Sequence, residues 1–184
     1  GFILANGALS ADGTELAIRR RLIEKGIVEA ILILPRNLFY STDISVTLWI
    51  LNMNKKARTA SVNGHETHYR DRDREILFMD LRQLGQPFEK KYIRFTDEEI
   101  VRVANTYHCW QLEGHDQLYR DIPEFCRSVS IDAPGGVKDK GYSLVPSKYI
   151  EFANRDETAD YETRMTELQS QLSDLLREEA ASRE

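Results

Sequence analysis

Apolar positions in this chain come in short blocks rather than in one long amphipathic stripe, and the blocks read as strands before anything else. Ile27-Val28-Glu29-Ala30-Ile31-Leu32-Ile33-Leu34 is apolar on both alternating faces except at Glu29, the pattern of a strand covered on two sides, and Pro35 stops it. Ile44-Ser45-Val46-Thr47-Leu48-Trp49-Ile50-Leu51 is a second such run, β-branched and aromatic at its centre. Phe2-Ile3-Leu4-Ala5 reads as a buried strand already under way, ended by Asn6-Gly7 and the turn-rich Ser10-Ala11-Asp12-Gly13. Between the first two strands the spacing predicts a helix, capped by Thr14 and closed by Gly26 at the position after its end. Lys55 to Arg74 is polar and charged, as in a long exposed loop or loose hairpin, and Glu75-Ile76-Leu77-Phe78-Met79-Asp80 is a further strand. Thr96-Asp97-Glu98-Glu99 is a capping box, with Ile100, Val103, Ala104 and Tyr107 on one face of the helix it opens. Residues 108–150 read as irregular, with turns at Pro134-Gly135-Gly136 and Lys140-Gly141.

The strand–helix–strand order at the start argues for an α/β fold with helices packed on a sheet. Only nine residues, Pro35 to Asp43, join the next two strands, too few for a helical crossover, so that pair is expected to be antiparallel. After Ile150 the pattern changes. Tyr161, Met165, Leu168, Leu172 and Leu175 alternate at four- and three-residue spacing, a narrow helical seam flanked by acids. Such a seam serves equally to fold back on its own domain or to dock on a partner's helix.

Charge follows the same division. The net charge of the 184 residues is −5, and ten acids against four arginines fall after Ile150, so the body is close to neutral. Its basic clusters, Arg19-Arg20-Arg21 and Lys55-Lys56-Ala57-Arg58, have the character of phosphate contacts or of solvated faces, and composition does not choose between them. No apolar run approaches the ~20 residues of a membrane span, and two cysteines, Cys109 and Cys126, do not make a disulfide scaffold. A cytosolic protein is expected. Because the chain opens on Gly1 rather than Met, with a strand at once, a piece of a longer polypeptide is also expected.

Self-contained chemistry is hard to find. There is no Gly-x-Gly-x-x-Gly and no phosphate loop. His65-x-x-His68 with His108, Cys109, His115 and Cys126 lacks the paired spacing of a zinc site, so no metal is expected. The adjacent His108 and Cys109 lack a third group to make a nucleophile. The unusual segment is Leu34-Pro35-Arg36-Asn37-Leu38-Phe39-Tyr40-Ser41-Thr42-Asp43-Ile44, which puts two aromatics in a loop between buried strands. One ring can plug the end of the sheet; an aromatic on a rigid loop also offers the stacking face that enzymes acting on an extruded base require.

Several segments in order, Ile3-Leu4-Ala5-Asn6-Gly7-Ala8-Leu9, Glu15 to Glu24, Val28 to Tyr40, Ile76 to Asp80 and Gly141-Tyr142-Ser143-Leu144-Val145-Pro146-Ser147-Lys148-Tyr149-Ile150, closely resemble the C-terminal half of the modification (M) subunit of type I restriction–modification systems, an N6-adenine DNA methyltransferase. The resemblance covers essentially all of residues 1–150, and its Leu-Pro-x-Asn-Leu-Phe loop is its most specific part.

It implies that residues 1–83 are the C-terminal part of a Rossmann-like methyltransferase sheet ending in an antiparallel hairpin. Residues 84–150 would be a mixed helical and irregular extension, and residues 151–184 an acidic helix that docks on the specificity (S) subunit through Tyr161, Met165, Leu168, Leu172 and Leu175. The strands at Phe2, Val28 and Ile44 would be the last three of the sheet. Phe39 would pack against a flipped adenine, with Asn37 and Tyr40 shaping the pocket; Arg19, Arg20, Lys55 and Lys56 stay candidates for DNA phosphate contacts, which the resemblance does not decide. S-adenosylmethionine would be the donor, attacked by the adenine amine; the S and restriction subunits and duplex DNA would be the partners, in a prokaryotic cytoplasm. The family's glycine-rich cofactor motif and Asn-Pro-Pro-Phe/Tyr tetrapeptide are not in this chain, where Asn37 precedes Leu38 and Asn54 precedes Lys55. The chain alone is therefore expected to be inactive and, with an open sheet edge, to self-associate. The alternatives are a non-catalytic interaction module that covers that edge and a fragment of a single-chain adenine methyltransferase.

Overall fold

The computed structural model describes residues 1–152, 165, 166 and 168–172. Residues 1–151 form one compact unit and residues 152–184 a second. The first unit is built on a five-stranded mixed sheet of β1 (Phe2–Ala5), β2 (Val28–Ile33), β3 (Val46–Leu51), β6 (Glu75–Asp80) and β9 (Cys126–Ser130). Their order in the sheet is β1-β3-β2-β6-β9. β3 lies antiparallel between β1 and β2, so β1 and β2 run the same way; β2 and β6 are parallel, and β9 closes the far side antiparallel to β6. The short link between β2 and β3 makes the antiparallel pair expected from its length. Helix α1 (Thr14–Glu24) connects β1 to β2. Thr14 sits inside that helix, and Gly13 precedes it without a side-chain cap.

β9 was not visible in the sequence. The stretch 84–150, expected as an extension of mixed helical and irregular character, supplies this sheet strand and belongs to the same compact unit as residues 1–83. Two small hairpins stand apart from the main sheet. β4 (Arg58–Val62) and β5 (His65–Tyr69) turn at Asn63-Gly64, both with positive φ, the geometry of a two-residue hairpin turn. β7 (Gln86–Phe88) and β8 (Tyr92–Arg94) precede helix α2 (Asp97–Gln111), which opens on the complete Thr96–Glu99 capping box. A single turn of helix, α3 (His115–Leu118), follows. Among the described residues, no helix is long and apolar enough to cross a membrane.

The central strands β2 and β6 are buried on both faces, whereas β1, expected from its sequence to be buried, is exposed along its length. Ile31, Ile76, Phe78, Trp49 and Val129 face one core with Ile23 of α1 and with Leu144, Tyr149 and Ile150. Ala30, Leu32, Leu77, Met79 and Cys126 face the other with Trp110 of α2. Val28 shares a face with Ile31, three residues on, which a period of two forbids unless the strand has an extra residue. It has one: pairing shifts from Val28↔Leu51 to Ala30↔Ile50, a bulge at Glu29.

The bulge places the Glu29 carboxylate in the interior. Its Oε1 accepts from Arg72 Nη2 at 2.9 Å and from Gln111 Nε2 at 3.1 Å, and its Oε2 from Asn52 Nδ2 at 2.8 Å and the Tyr107 hydroxyl at 2.9 Å. Burial pushes this carboxyl up, yet the hydrogen bonds from Asn52, Tyr107, Gln111 and Arg72 hold it below its ordinary value. Arg72 is fully buried and donates as well to the carbonyls of Arg70 and Gln111. Removing one member of such a pair leaves a buried charge without compensation. Arg72→Met is expected to cost about 3–5 kcal/mol in urea unfolding followed by circular dichroism. Glu29→Gln/Arg72→Met should cost clearly less than the single variant; equal or greater loss would show that the pair's charge is not what is being lost.

Candidate functional site

Loop 36–43 leaves and rejoins the sheet through a closed base. Leu34 N donates to Val46 O at 2.9 Å, and the Ser45 hydroxyl donates to Leu34 O at 2.5 Å. Asn37 takes a left-handed φ of 59°, a conformation that asparagine tolerates better than most residues. Phe39 and Thr42 then form an isolated bridge. Leu38 and Phe39 are half-buried and pack on the core that contains Leu32, Leu34 and Val46, whereas Tyr40 is 70% exposed. The two aromatics thus divide the work: Phe39 closes the sheet end, and Tyr40 carries the open ring.

The β7–β8 hairpin holds this loop from outside. Ile93 N donates to Asn37 O at 3.0 Å, Lys91 Nζ pairs with Asp43 Oδ1 at 3.0 Å, and the Tyr92 ring meets Tyr40 edge to face with centroids 4.6 Å apart. The hairpin is anchored to α2, because Glu99, besides capping its own helix, accepts from Gly85 N at 2.8 Å. Gly85 has φ +97°, and a Cβ there would meet Ile93 Cγ2 at 2.2 Å, so a side chain would collide with β8. Between loop and hairpin is a cavity of about 350 Å³ lined by Leu38, Tyr40, Phe88, Tyr92 and Ile93. Tyr92 and Phe88 were missed from the sequence, although Phe88-Glu89-Lys90-Lys91-Tyr92-Ile93-Arg94 interleaves aromatic and basic residues.

The four basic residues expected at phosphates separate into two pairs. Arg19 is buried and donates to the carbonyls of Tyr142 at 2.8 Å, Ala8 at 3.1 Å and Ala11 at 3.0 Å. Lys55 is 1% exposed, and its ammonium donates to Val28 O at 2.8 Å and Glu75 O at 2.7 Å. Both are structural cations, Arg19 tying loops to α1 and Lys55 tying its loop to β2 and β6, which corrects their expected place at DNA. Arg20 and Lys56 are exposed; Arg20 pairs with Glu24 at 2.8 Å. In the second unit, Met165, Leu168 and Leu172 are helical and exposed, while Tyr161 and Leu175 lie outside the described residues.

His65 and His68 lie on exposed β5, and Cys126 is buried, its thiol pushed up by burial. Among the described residues, no three His, Cys, Asp or Glu side chains gather where they could hold a metal ion. A larger, polar cavity of about 480 Å³ contains Arg74, Glu75, His115 and Ser128. Its two central groups are already engaged, Arg74 with Asp132 at 2.7 Å and Glu75 with Arg70 at 2.9 Å.

The sequence profile of the family described as N-6 DNA Methylase matches residues 1–158. The chain belongs to the N-6 DNA methylase family. It is 31% identical over 180 residues to the type I restriction enzyme HindI methylase subunit of Haemophilus influenzae, a match covering 97% of this chain and 35% of that protein. The chain thus spans about a third of the length of that curated relative. In fold it is similar to the type I restriction-modification system methyltransferase subunit from Streptococcus thermophilus, with a TM-score of 0.61 at 23% identity over 81% of this chain and 26% of that one. It is also similar to a chain solved for the structural basis of complex assembly and conformational transition of the type I R-M system, with a TM-score of 0.55 at 17% identity, covering 98% of this chain and 34% of that one.

In this N-6 DNA methylase chain, burial brings the Lys55 ammonium down to about 8, against the raising influence of Glu29 and Asp73. Between pH 8 and 10.5 the unfolded chain then binds more protons than the folded one, so Lys55 makes stability rise with pH and withdraws that stability as pH falls through about 8. Urea unfolding is expected to show this rise, at most about 3 kcal/mol, in the parent and not in Lys55→Met.

Proposed function

We propose that this chain is the C-terminal part of the M subunit of a type I restriction–modification system, which transfers a methyl group from S-adenosylmethionine to N6 of adenine in duplex DNA. The observation that carries this reading is the aromatic loop 36–43 at the turn between β2 and β3. We read the β1-β3-β2 order as part of a Rossmann-like methyltransferase sheet, although these are not its last three strands as expected, because β6 and β9 extend the same sheet beyond β2. In this role Phe39, braced by the core, packs against the extruded adenine, and Tyr40 and the strained Asn37 shape the rim. Stacking on an aromatic is tolerant of base identity, so target choice falls to other contacts, and we assign it to the S subunit. The seam of Tyr161, Met165, Leu168, Leu172 and Leu175 docks there, the restriction subunit completes the assembly, and the setting is the prokaryotic cytoplasm.

S-adenosylmethionine does not fit the groups present here. The cleft beside β1, about 310 Å³, is walled by Phe2, Leu4, Ile18, Leu22 and Trp49, mostly carbon, with Glu15 and Arg19 at its margin, and Arg19 spends its donors on carbonyls. Glu15 is left to meet the hydroxyls of a ribose, but no lining side chain offers a free donor to the carboxylate of an amino-acid headgroup. Asn-Pro-Pro-Phe/Tyr is likewise absent from this sequence. The donor and the group that holds the target amine thus belong to the complete subunit. The free edge favours this over an interaction module: among the described residues β1 pairs with β3 alone, and Phe2 is 58% exposed beside exposed Ile3 and Leu4. An apolar edge of that kind seeks another strand, and self-association of the isolated chain is expected through it.

The test has two parts. The isolated 184 residues should transfer no labelled methyl group to duplex DNA. In the complete methyltransferase carrying these residues, Phe39→Ala should lower kcat/KM about ten- to a hundredfold. Transfer by the isolated chain, or an unchanged kcat/KM in Phe39→Ala, would contradict the proposal.

A further inference from the structure

The groove beside Tyr40 has a composition that closing the sheet end does not explain. Its walls come from loop 36–43, from the β7–β8 hairpin, and from Phe95 and Ile100 at the start of α2, and the exposed rings of Tyr40 and Phe88 open into it. Its volume of about 350 Å³ lies within the usual range of small-ligand sites, roughly 300–1,000 Å³. Loop and hairpin together carry four cations, Arg36, Lys90, Lys91 and Arg94, against two carboxylates, Asp43 and Glu89. Cations already sit over the rings: Lys91 Nζ lies 5.4 Å from the Tyr92 centroid, and the Arg94 guanidinium 5.6 Å from that of Phe88. Lys91 pairs with Asp43 at 3.0 Å, so exposed Lys90 is the hairpin lysine left for an anionic backbone.

We propose that this groove binds a second nucleobase, unpaired and distinct from the one at Phe39, with its strand's phosphate beside Lys90. The inference rests on the reading of loop 36–43 as a DNA-facing element and adds a site to it. Tyr40 supplies the open stacking face; Tyr92 holds that ring at 4.6 Å, and the Asn37–Ile93 hydrogen bond fixes the spacing of loop and hairpin. Stacking platforms flanked by cations are the means by which proteins hold single strands without reading sequence. Extruding one base leaves its former partner unpaired, and a base of that kind is what such a groove accepts.

Fluorescence anisotropy with a labelled single-stranded oligothymidylate and a duplex of equal length, at low salt, tests this on the 184-residue chain. The single strand should bind more tightly than the duplex. Tyr40→Leu and Tyr92→Leu should each weaken its binding about tenfold, while circular dichroism shows both variants still folded. Lys90→Gln should lower the slope of log affinity against log salt by about 0.7. If both aromatic variants bind the single strand as the parent does, the groove takes no base and the proposal fails. A Lys90→Gln effect on duplex binding in that case would leave the DNA-facing loop standing. If the parent binds neither DNA at low salt, the groove and the DNA-facing reading of the loop fail together.

Discussion

A carboxylate in the middle of a buried strand forces a structure to organise around it. Glu29 sits on the bulge of β2, and its two oxygens draw Arg72, Asn52, Tyr107 and Gln111 from three places in the chain. Each place is carried inward with them. Arg72 brings the strand connection before β6, Asn52 the end of β3, and Tyr107 and Gln111 the last turns of α2. Next to Arg72, Arg70 forms a two-point pair with Glu75 and donates to Trp110 O at 2.7 Å, fastening the same helix to β6. Hydrophobic burial supplies most of the driving force, but these directional bonds determine which face of α2 meets the sheet.

The position of α2 reaches the loop by a short physical route. The helix opens on Thr96 and Glu99, and the Glu99 carboxylate that closes this cap also holds Gly85 at the root of the hairpin. The hairpin in turn holds the backbone of loop 36–43 through Asn37 and its side chains through Asp43 and Tyr40. A loop of polar residues between two strands is ordinarily mobile and variable. Here it is braced by the core beneath Phe39 and by the hairpin beside Tyr40, the rigidity that presenting a flat ring requires. Preorganised contacts of this kind serve the proposed base-holding role better than a free loop would, because less ordering is left for binding.

The central strands and the α2 cap were legible in the sequence because their signals are local: apolar residues on both alternating faces, and a Thr-x-x-Glu box. The antiparallel link followed from chain length alone. β9 was not legible, since Cys126-Arg127-Ser128-Val129-Ser130 alternates over only five residues and lies at a sheet edge. The β7–β8 hairpin has three-residue strands with Pro87 in one of them, too little pattern to register. Arg19 and Lys55 misled for a different reason: they sit in basic clusters, but tertiary folding surrounds them with carbonyl oxygens that no local pattern announces. The site reading depended on the resemblance; residue chemistry alone pointed only to two aromatics in a loop, without distinguishing the braced ring from the open one.

The central claim, that loop 36–43 holds an extruded base against Phe39, is tested most directly by placing 2-aminopurine at the target adenine and reading its emission in the complete methyltransferase. The account predicts a rise in emission when the base leaves the duplex stack, and a further rise in Phe39→Ala, where the ring that quenches it is gone. Emission identical in parent and Phe39→Ala would contradict the account, because the base would then rest on some other group.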